Sequence, residues 1–294
     1  MRDSIGLVME QMQRAQAGQP VLLPPHPLWA ALYQESFTQR NLQGEVQFRS
    51  PDTESPIVVL VSAGLDSTVA YHRAIRTGRP VQAIFCRLEN GYEQREQQAL
   101  EILGIPYQEY GVDVVHHAEQ FGYVIPGRNL LFCLIGADAL PMGGEVWLSA
   151  VSGEIKAWGG DKSERFVGLL NHVLGMRPYP VRVECPTAHE TKADLVRWWL
   201  DSDLPLAQLH ATYSCHRGGE KHCGACQACF RRWVAFAYNG LEAEWETDPH
   251  ASLADSAVQR RLVEAHAIQR RGYALATESV SVRDAEQILK VVSS

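Results

Sequence analysis

Residues 57 to 70 read IVVLVSAGLDSTVA, with Pro56 immediately before them. Five consecutive apolar residues, three of them Val, predict a strand buried on both faces. Ser62-Ala63-Gly64-Leu65-Asp66-Ser67-Thr68 then predicts a sharp turn into an apolar helix. Small side chains let backbone N–H groups approach an anion, the helix N-terminus adds its positive dipole end, and Ser67 and Thr68 supply hydroxyls. The expected ligand is a nucleotide phosphate. The turn lacks the Lys of a G-x-x-x-x-G-K-[ST] loop and the three-glycine spacing of a dinucleotide fingerprint. An ordinary strand-to-helix turn with a serine cap is the alternative.

Downstream, strands and helices alternate. A helix over about 66–77 ends at Gly78, Val81 to Cys86 reads as a strand, and Asn90 to Leu103 reads as a helix stopped by Gly104. Tyr107 to Val112, Val146 to Val151 and Val181 to Cys185 read as further strands, separated by helices at Leu130 to Leu140 and Glu164 to Leu174. This βαβ order predicts a parallel sheet with right-handed crossovers, whose ligands bind at the carboxyl ends of the strands.

By that rule the loop after the Val146 to Val151 strand belongs to the site, and two helix mouths offer further candidates. Asn129 is a suitable helix N-cap and places Arg128 at the helix mouth, where it binds a phosphate or carboxylate or else faces solvent. The loop Ser152 to Ser163, SGEIKAWGGDKS, offers Trp158 for stacking on a flat polar ring, although an aromatic in a loop also serves simple packing. Lys192 falls in the first turn of a helix opened by Thr191, where the dipole disfavours a cation; it has an anionic neighbour or points to water.

The chain has 294 residues, 46% of them apolar, enough for one large α/β domain with appendages. Its net charge of −7 argues against a general nucleic-acid surface, since phosphate-backbone binding needs clustered Lys and Arg. No run approaches a membrane span, and the polar N-terminus MRDSIGLVMEQMQRAQ is unlike a signal peptide, so a cytoplasmic location is expected.

Seven cysteines are present, and four of them fall within fifteen residues: Cys215, Cys223, Cys226 and Cys229 in SCHRGGEKHCGACQAC. The two-residue gaps, with Gly218, Gly219 and Gly224 to fold the chain back, suit a closed tetrahedral structural zinc site. An iron–sulfur cluster is the main rival. His216 and His222 are spare ligands that four cysteines make unnecessary. Cys86, Cys133 and Cys185 read as small buried hydrophobes.

The loop at Ser62 resembles the S-G-G-x-D-S loop of the N-type ATP pyrophosphatases, with Ala63 for the first Gly. The chain more widely resembles the 7-cyano-7-deazaguanine synthases. Tyr92, Gln94 and Arg95 match a Y-G-Q-R stretch, Pro126-Gly127-Arg128-Asn129 matches P-G-R-N, and Thr191-Lys192-Ala193-Asp194 is similar to S-K-A-[DE]. Thr212 to Cys229 matches T-x-S-C-x-x-G-G-E-K-x-C-G-x-C-x-x-C nearly throughout. The matches keep order and spacing over about residues 56 to 240.

The resemblance implies an α/β fold, a Rossmann-like doubly wound parallel sheet of the adenine nucleotide alpha hydrolase kind, with a four-cysteine zinc-binding loop; the helically patterned extensions at both ends are additions to the family's pattern. The corresponding segments are 1–55 (N-terminal extension), 56–210 (nucleotide domain), 211–240 (zinc region) and 241–294 (C-terminal extension). It implies ATP, Mg2+ and Zn2+, a homodimer, and a C–N ligase of queuosine biosynthesis that joins 7-carboxy-7-deazaguanine to ammonia. Ser62, Ala63, Gly64, Leu65, Asp66, Ser67 and Thr68 would hold the nucleotide, Asp66 through magnesium. Arg128 and Lys192 would neutralise phosphate charge, and Arg128, Trp158 and Asp161 would hold the substrate.

The departures bear on the acceptor. Ala63 replaces a glycine, which is tolerated if its φ is negative, Glu93 interrupts Y-G-Q-R, and Lys162 and Ser163 stand where the family usually carries Cys and Arg. Two further readings therefore stay open. One is a paralogue that passes the activated acid to another amine, such as one on a partner protein in an antiviral system. The other is a zinc-stabilised nucleotide sensor or scaffold without turnover.

Overall fold

The computed structural model describes residues 54–88, 93–112, 127–155, 160–177, 179–217, 219–275 and 278–293, all within one compact unit, Pro51–Ser294. The N-terminal extension up to residue 53, and Tyr92, Pro126 and Trp158, lie outside the described residues.

Five parallel strands form one sheet: β1 (Ile57–Val61), β2 (Val81–Leu88), β3 (Tyr107–Val112), β4 (Gly144–Trp147) and β5 (Val181–Glu184), in the order β3-β2-β1-β4-β5. The chain winds outward from β1 through β2 to β3, then restarts on the other side with β4 and β5. That is a Rossmann-like doubly wound sheet, and its switch point lies between β1 and β4.

Every residue of β1 is buried, and its side chains alternate between two cores. Ile57, Val59 and Val61 pack with Ala70 and Ala74 of helix α1 (Leu65–Arg76), with Leu100 and Leu103 of α2 (Glu93–Leu103), and with the four clustered cysteines. Val58 and Leu60 pack on the opposite side with Cys133 and Ala137 of α3 (Arg128–Asp138). Gly136 lets that helix sit close: a methyl group there would meet Val146 Cγ1 at 2.9 Å.

Two boundaries differ from expectation. β4 stops at Trp147 rather than running to Val151, because the next residues leave the sheet to form the short helix α4 (Ser152–Ile155). α3 starts at Arg128, capped by Gly127 at φ 74, so Asn129 lies inside the helix and is not its N-cap. After α5 (Glu164–Leu174), helix α6 spans Lys192–Leu200, opened by Thr191 and with Lys192 in its first turn, as the sequence predicts. There Thr191 and Asp194 form a reciprocal capping box that starts the first turn at Lys192.

Beyond α7 (Leu206–Ala211), helix α8 (Gln227–Tyr238) begins with Cys226 as its N-cap. Its Phe230, Trp233 and Val234 pack against two further helices, α9 (Ser256–Arg271) and α10 (Val282–Val292), while Ala235 and Phe236 pack against Leu195 and Trp199 of α6. No helix among the described residues is long and apolar enough to cross a membrane.

Candidate functional site

At the carboxyl end of β1 the chain passes through Ser62, Ala63 and Gly64 into α1. Ala63 has φ 53, the left-handed region, not the negative φ under which its methyl group would be at ease. An L-residue there costs about 1–2 kcal/mol. Local bonds hold the turn: Ser62 N donates to Ser67 Oγ (3.2 Å), Ser67 Oγ donates to Gly64 O (3.1 Å), and Tyr213 N donates to Ala63 O (2.9 Å). Ser62, Gly64, Asp66 and Ser67 line a cavity of about 620 Å³. Ala63, Leu65 and Thr68 are buried behind it; Leu65 packs toward α6, and Thr68 Oγ1 has no partner among the described residues.

Lys192 enters the same cavity from the first turn of α6. The anionic neighbour implied by its unfavourable place on the helix dipole is Asp66, at 2.6 and 2.7 Å from Nζ to the two carboxylate oxygens. Burial lowers the Lys192 pKa and Asp66 opposes that shift. Beside this pair Glu154 of α4 accepts from Lys162 Nζ (3.2 Å) and from Arg231 of α8. Burial alone would raise Glu154, but Lys162, Arg231 and Lys192 outweigh it and hold the carboxyl well below its usual value.

Arg128 and Asp161 also line the cavity. The Asn129 backbone N–H donates to Asp161 Oδ2 over a long 3.5 Å. Glu96 of α2 joins them, and burial pushes its pKa up to about 8 against the pull of Arg128, with Glu93 adding to the rise. Glu96 is therefore largely protonated at neutral pH. Arg128, Lys162, Lys192, Arg231 and Arg261 then face the carboxylates of Asp66, Glu154 and Asp161, so the cavity is cationic. Asn129, Ser149 and Ser214 also line it, and each keeps a buried side-chain polar atom unpaired among the described residues.

The four cysteines converge. Cys215, Cys223, Cys226 and Cys229 place their sulfurs within 4.8 Å of one another, and Cys223 and Cys229 are 3.7 Å apart. A tetrahedron with ~2.3 Å Zn–S bonds has sulfurs about 3.8 Å apart, so the cluster fits zinc. Backbone N–H groups of Arg217 and Cys223 point at Cys215 Sγ (3.4 and 3.5 Å), and that of Ala225 points at Cys223 Sγ (3.4 Å). Gly224 is required at φ 74, since a methyl group would lie 2.0 Å from Thr247 O. His222 Nε2 accepts from Ser214 N (3.2 Å), so that nitrogen is already engaged; burial, with Arg232 adding to it, lowers its pKa to about 3. Burial likewise pushes Cys86, Cys133 and Cys185 up to about 12, as expected of inert packing thiols.

Glu154 lies in the Ser152 to Ser163 loop that the strand-end rule assigns to the site, but sequence reasoning missed Glu96 and Arg231, and it missed the wall supplied by α9 and by Ser279. Arg261 of α9 and Ser279 line the cavity. The Ser152 and Ser281 hydroxyls both reach Asp284 Oδ2 (3.1 and 2.8 Å), and Arg283 pairs with Asp194 at 2.7 Å. A methyl group on Gly153 would lie 2.2 Å from Ser279 O, so only glycine permits this approach. The signal was the small pair Ser152-Gly153 at a strand end, which by itself only marks a close contact with an unspecified partner.

Residues 111–240 match the family described as "Queuosine biosynthesis protein QueC". The 7-cyano-7-deazaguanine synthase of Saccharolobus solfataricus is 29% identical over 222 residues, which cover 65% of this chain and 47% of that protein. The 7-cyano-7-deazaguanine synthase of Chromohalobacter salexigens is 29% identical over 230 residues, 68% of this chain and 87% of that one. That of Alteromonas mediterranea is 30% identical over 223 residues, 66% and 96% respectively. The chain thus spans about half the length of the Saccharolobus relative and nearly all of the Alteromonas one.

Two expectations follow from the geometry. In Ala63→Gly, relief of about 1–2 kcal/mol of left-handed strain opposes the loss of a buried methyl worth about 0.8 kcal/mol and an entropic cost of about 0.5–1 kcal/mol. Urea unfolding should place the variant within about 1 kcal/mol of wild type; a loss beyond about 2 kcal/mol would show that methyl packing governs the turn. Glu96 has the opposite signature to a paired carboxylate. Its raised pKa gives the folded state a stability contribution that is full below about 4.5 and declines as pH rises to about 8. Between pH 6 and 8 the wild type should therefore lose more unfolding free energy than Glu96→Gln. Equal slopes would mean that Glu96 is already ionised in the folded protein at pH 6.

Proposed function

The chain belongs to the 7-cyano-7-deazaguanine synthase family, and from that premise we propose that it uses ATP to activate the carboxylate of 7-carboxy-7-deazaguanine for attack by an amine. The observation that carries this reading is the cationic cavity at the carboxyl ends of β1 and β4, entered by the Ser62 turn and by the Asp66–Lys192 pair. Its volume of about 620 Å³ is in the range, about 300–1,000 Å³, of small-molecule sites.

A carboxylate resists attack by an amine because its leaving group would be an oxide. Attack of the carboxylate oxygen on the ATP α-phosphate expels pyrophosphate and turns that oxygen into part of an AMP leaving group. Ammonia then attacks the carbonyl carbon, AMP departs, and the amide results. Activation of the amide oxygen by a second ATP, followed by loss of AMP and protons, gives the nitrile.

In this scheme Ser62, Gly64 and Ser67, at the positive end of α1, cradle the departing pyrophosphate. Lys192 and Arg128 offset charge as it builds on the phosphates, which suits their places in the lining of the cavity. Asp66 is the residue fitted to hold Mg2+, whose chemistry is to neutralise phosphate oxygens; a bound cation there would release Lys192 from its ion pair. Trp158 is the proposed stacking residue, and Asp161, a carboxylate beside the mouth of α3, accepts from the N–H edge of the heterocycle. Cys215, Cys223, Cys226 and Cys229 hold zinc, and four protein ligands leave it no open position, so its role is to fix the 215–229 loop.

A second reading, transfer to an amine other than ammonia, rests on Glu154, Lys162 and Arg231 standing in the cavity around the loop after β4. One assay separates the two. Protein with magnesium, ATP, 7-carboxy-7-deazaguanine and ammonium should release pyrophosphate and yield the nitrile by mass. A product that stays an amide or becomes a protein adduct supports the second reading, and no pyrophosphate with any deazaguanine acid overturns both. Lys192→Gln should lower turnover about 100-fold or more, in the range for removal of a positioned donor.

Metal analysis should find about one zinc per chain, and chelation should lower the melting midpoint. Iron with a visible charge-transfer band would point instead to a cluster.

A further inference from the structure

The family match ends at residue 240, yet α9 and Ser279, in the segment that leads to α10, line the cavity. The residue that α9 sends toward the site is Arg261. It is 6% exposed, its Nε is buried without a partner among the described residues, and Nη1 reaches only Ser279 Oγ, at 3.5 Å. Burial lowers its pKa to about 10; Arg231 alongside adds to the shift, while Asp284, Glu154 and Glu264 oppose it.

None of those carboxylates is its own. Glu154 is shared by Arg231 and Lys162, and Asp284 is engaged by the Ser152 and Ser281 hydroxyls. Glu264 accepts from both the backbone N–H and the hydroxyl of Ser279 (3.0 and 2.9 Å). A guanidinium buried next to a second guanidinium, with no ion-pair partner among the described residues, is an unsatisfied charge, and such charges are retained where a ligand supplies the counter-charge. Its planar fork matches an oxyanion with two oxygens.

We propose that Arg261 is an anion-binding residue of this cavity, supplied by the C-terminal helical pair, and that with Arg231 it receives an oxyanion of a bound ligand. Two oxyanions have access to such a site, a phosphate of the nucleotide and the carboxylate of the acid substrate. Only the naming of these two sources rests on the adenylation reading; the residue and its charge do not. The C-terminal helices thereby do more than pack against α8, because they bring a cation to a site whose other charged walls come from the family-matched segment and the β1–α2 region.

The test uses the full-length, metal-loaded chain and calorimetric titration with four probes: inorganic pyrophosphate, magnesium α,β-methylene-ATP, 7-carboxy-7-deazaguanine and its uncharged carboxamide. Arg261→Gln should weaken at least one oxyanion probe about tenfold or more, leave the carboxamide within twofold, and leave the ligand-free melting midpoint unchanged or raised, since an unpaired buried charge has gone. Arg261→Lys, which keeps charge but loses the fork, should show an intermediate loss and serves as the variant closest to the native fold. Loss confined to pyrophosphate and the ATP analogue identifies the phosphate as partner, and loss confined to the acid identifies the carboxylate. If wild type ignores the acid while Arg261→Gln loses pyrophosphate affinity, the inference stands and the deazaguanine reading fails. Affinities for all three oxyanion probes within twofold of wild type, or a wild type that binds none of them, would overturn it.

Discussion

Strand β1 has no face to give to water, and that constraint shapes the molecule. Its odd positions, Ile57, Val59 and Val61, and its even ones, Val58 and Leu60, are buried in different cores. Helices must therefore cover both sides of the sheet, and parallel pairing with β2 and β4 leaves β1 central. The carboxyl end of the strand opens onto the cavity. Polar groups that cannot be tolerated along the strand gather there, at the point where the chain's winding reverses direction.

The charged walls of that end are costly to assemble, because each ion leaves water for a partly dry cavity. The protein offsets the cost by pairing. Asp66 takes Lys192, and Glu154 takes Lys162 and Arg231, while burial keeps Glu96 protonated. The pairing is incomplete on the cationic side, a polarity opposite to the chain's net charge of −7. Local field and overall charge are separate quantities, and an acidic protein can present a basic pocket.

Helix α8 joins the parts. It starts on the cysteine cluster through Cys226 and Cys229, and its successive faces meet α6 and the C-terminal pair. Its Arg231 enters the cavity from the same turn that carries Phe230 into the C-terminal core. A structural metal at its start would thus set the position of a charged group in the site. Gly224 and Gly153 each mark a place where backbone passes against backbone, at Thr247 and at Ser279.

The parallel sheet, the turn after β1 and the convergence of four cysteines were legible in the sequence because each is local. Apolar runs set strands, small residues set turns, and two-residue spacings set metal ligands. The anion beside Lys192 was foreseeable as a need but not as Asp66, since the two are 126 positions apart. The left-handed φ of Ala63 was hidden because alanine advertises no conformation, and Asn129 was misread as a cap because Gly127 serves in its place. What the sequence alone determined is the sheet, the family and the cysteine cluster. Only the tertiary structure decided which charges meet in the cavity and that α9 contributes Arg261 to it, because partners of an ion pair are chosen by packing across distant segments and leave no periodic trace in the chain.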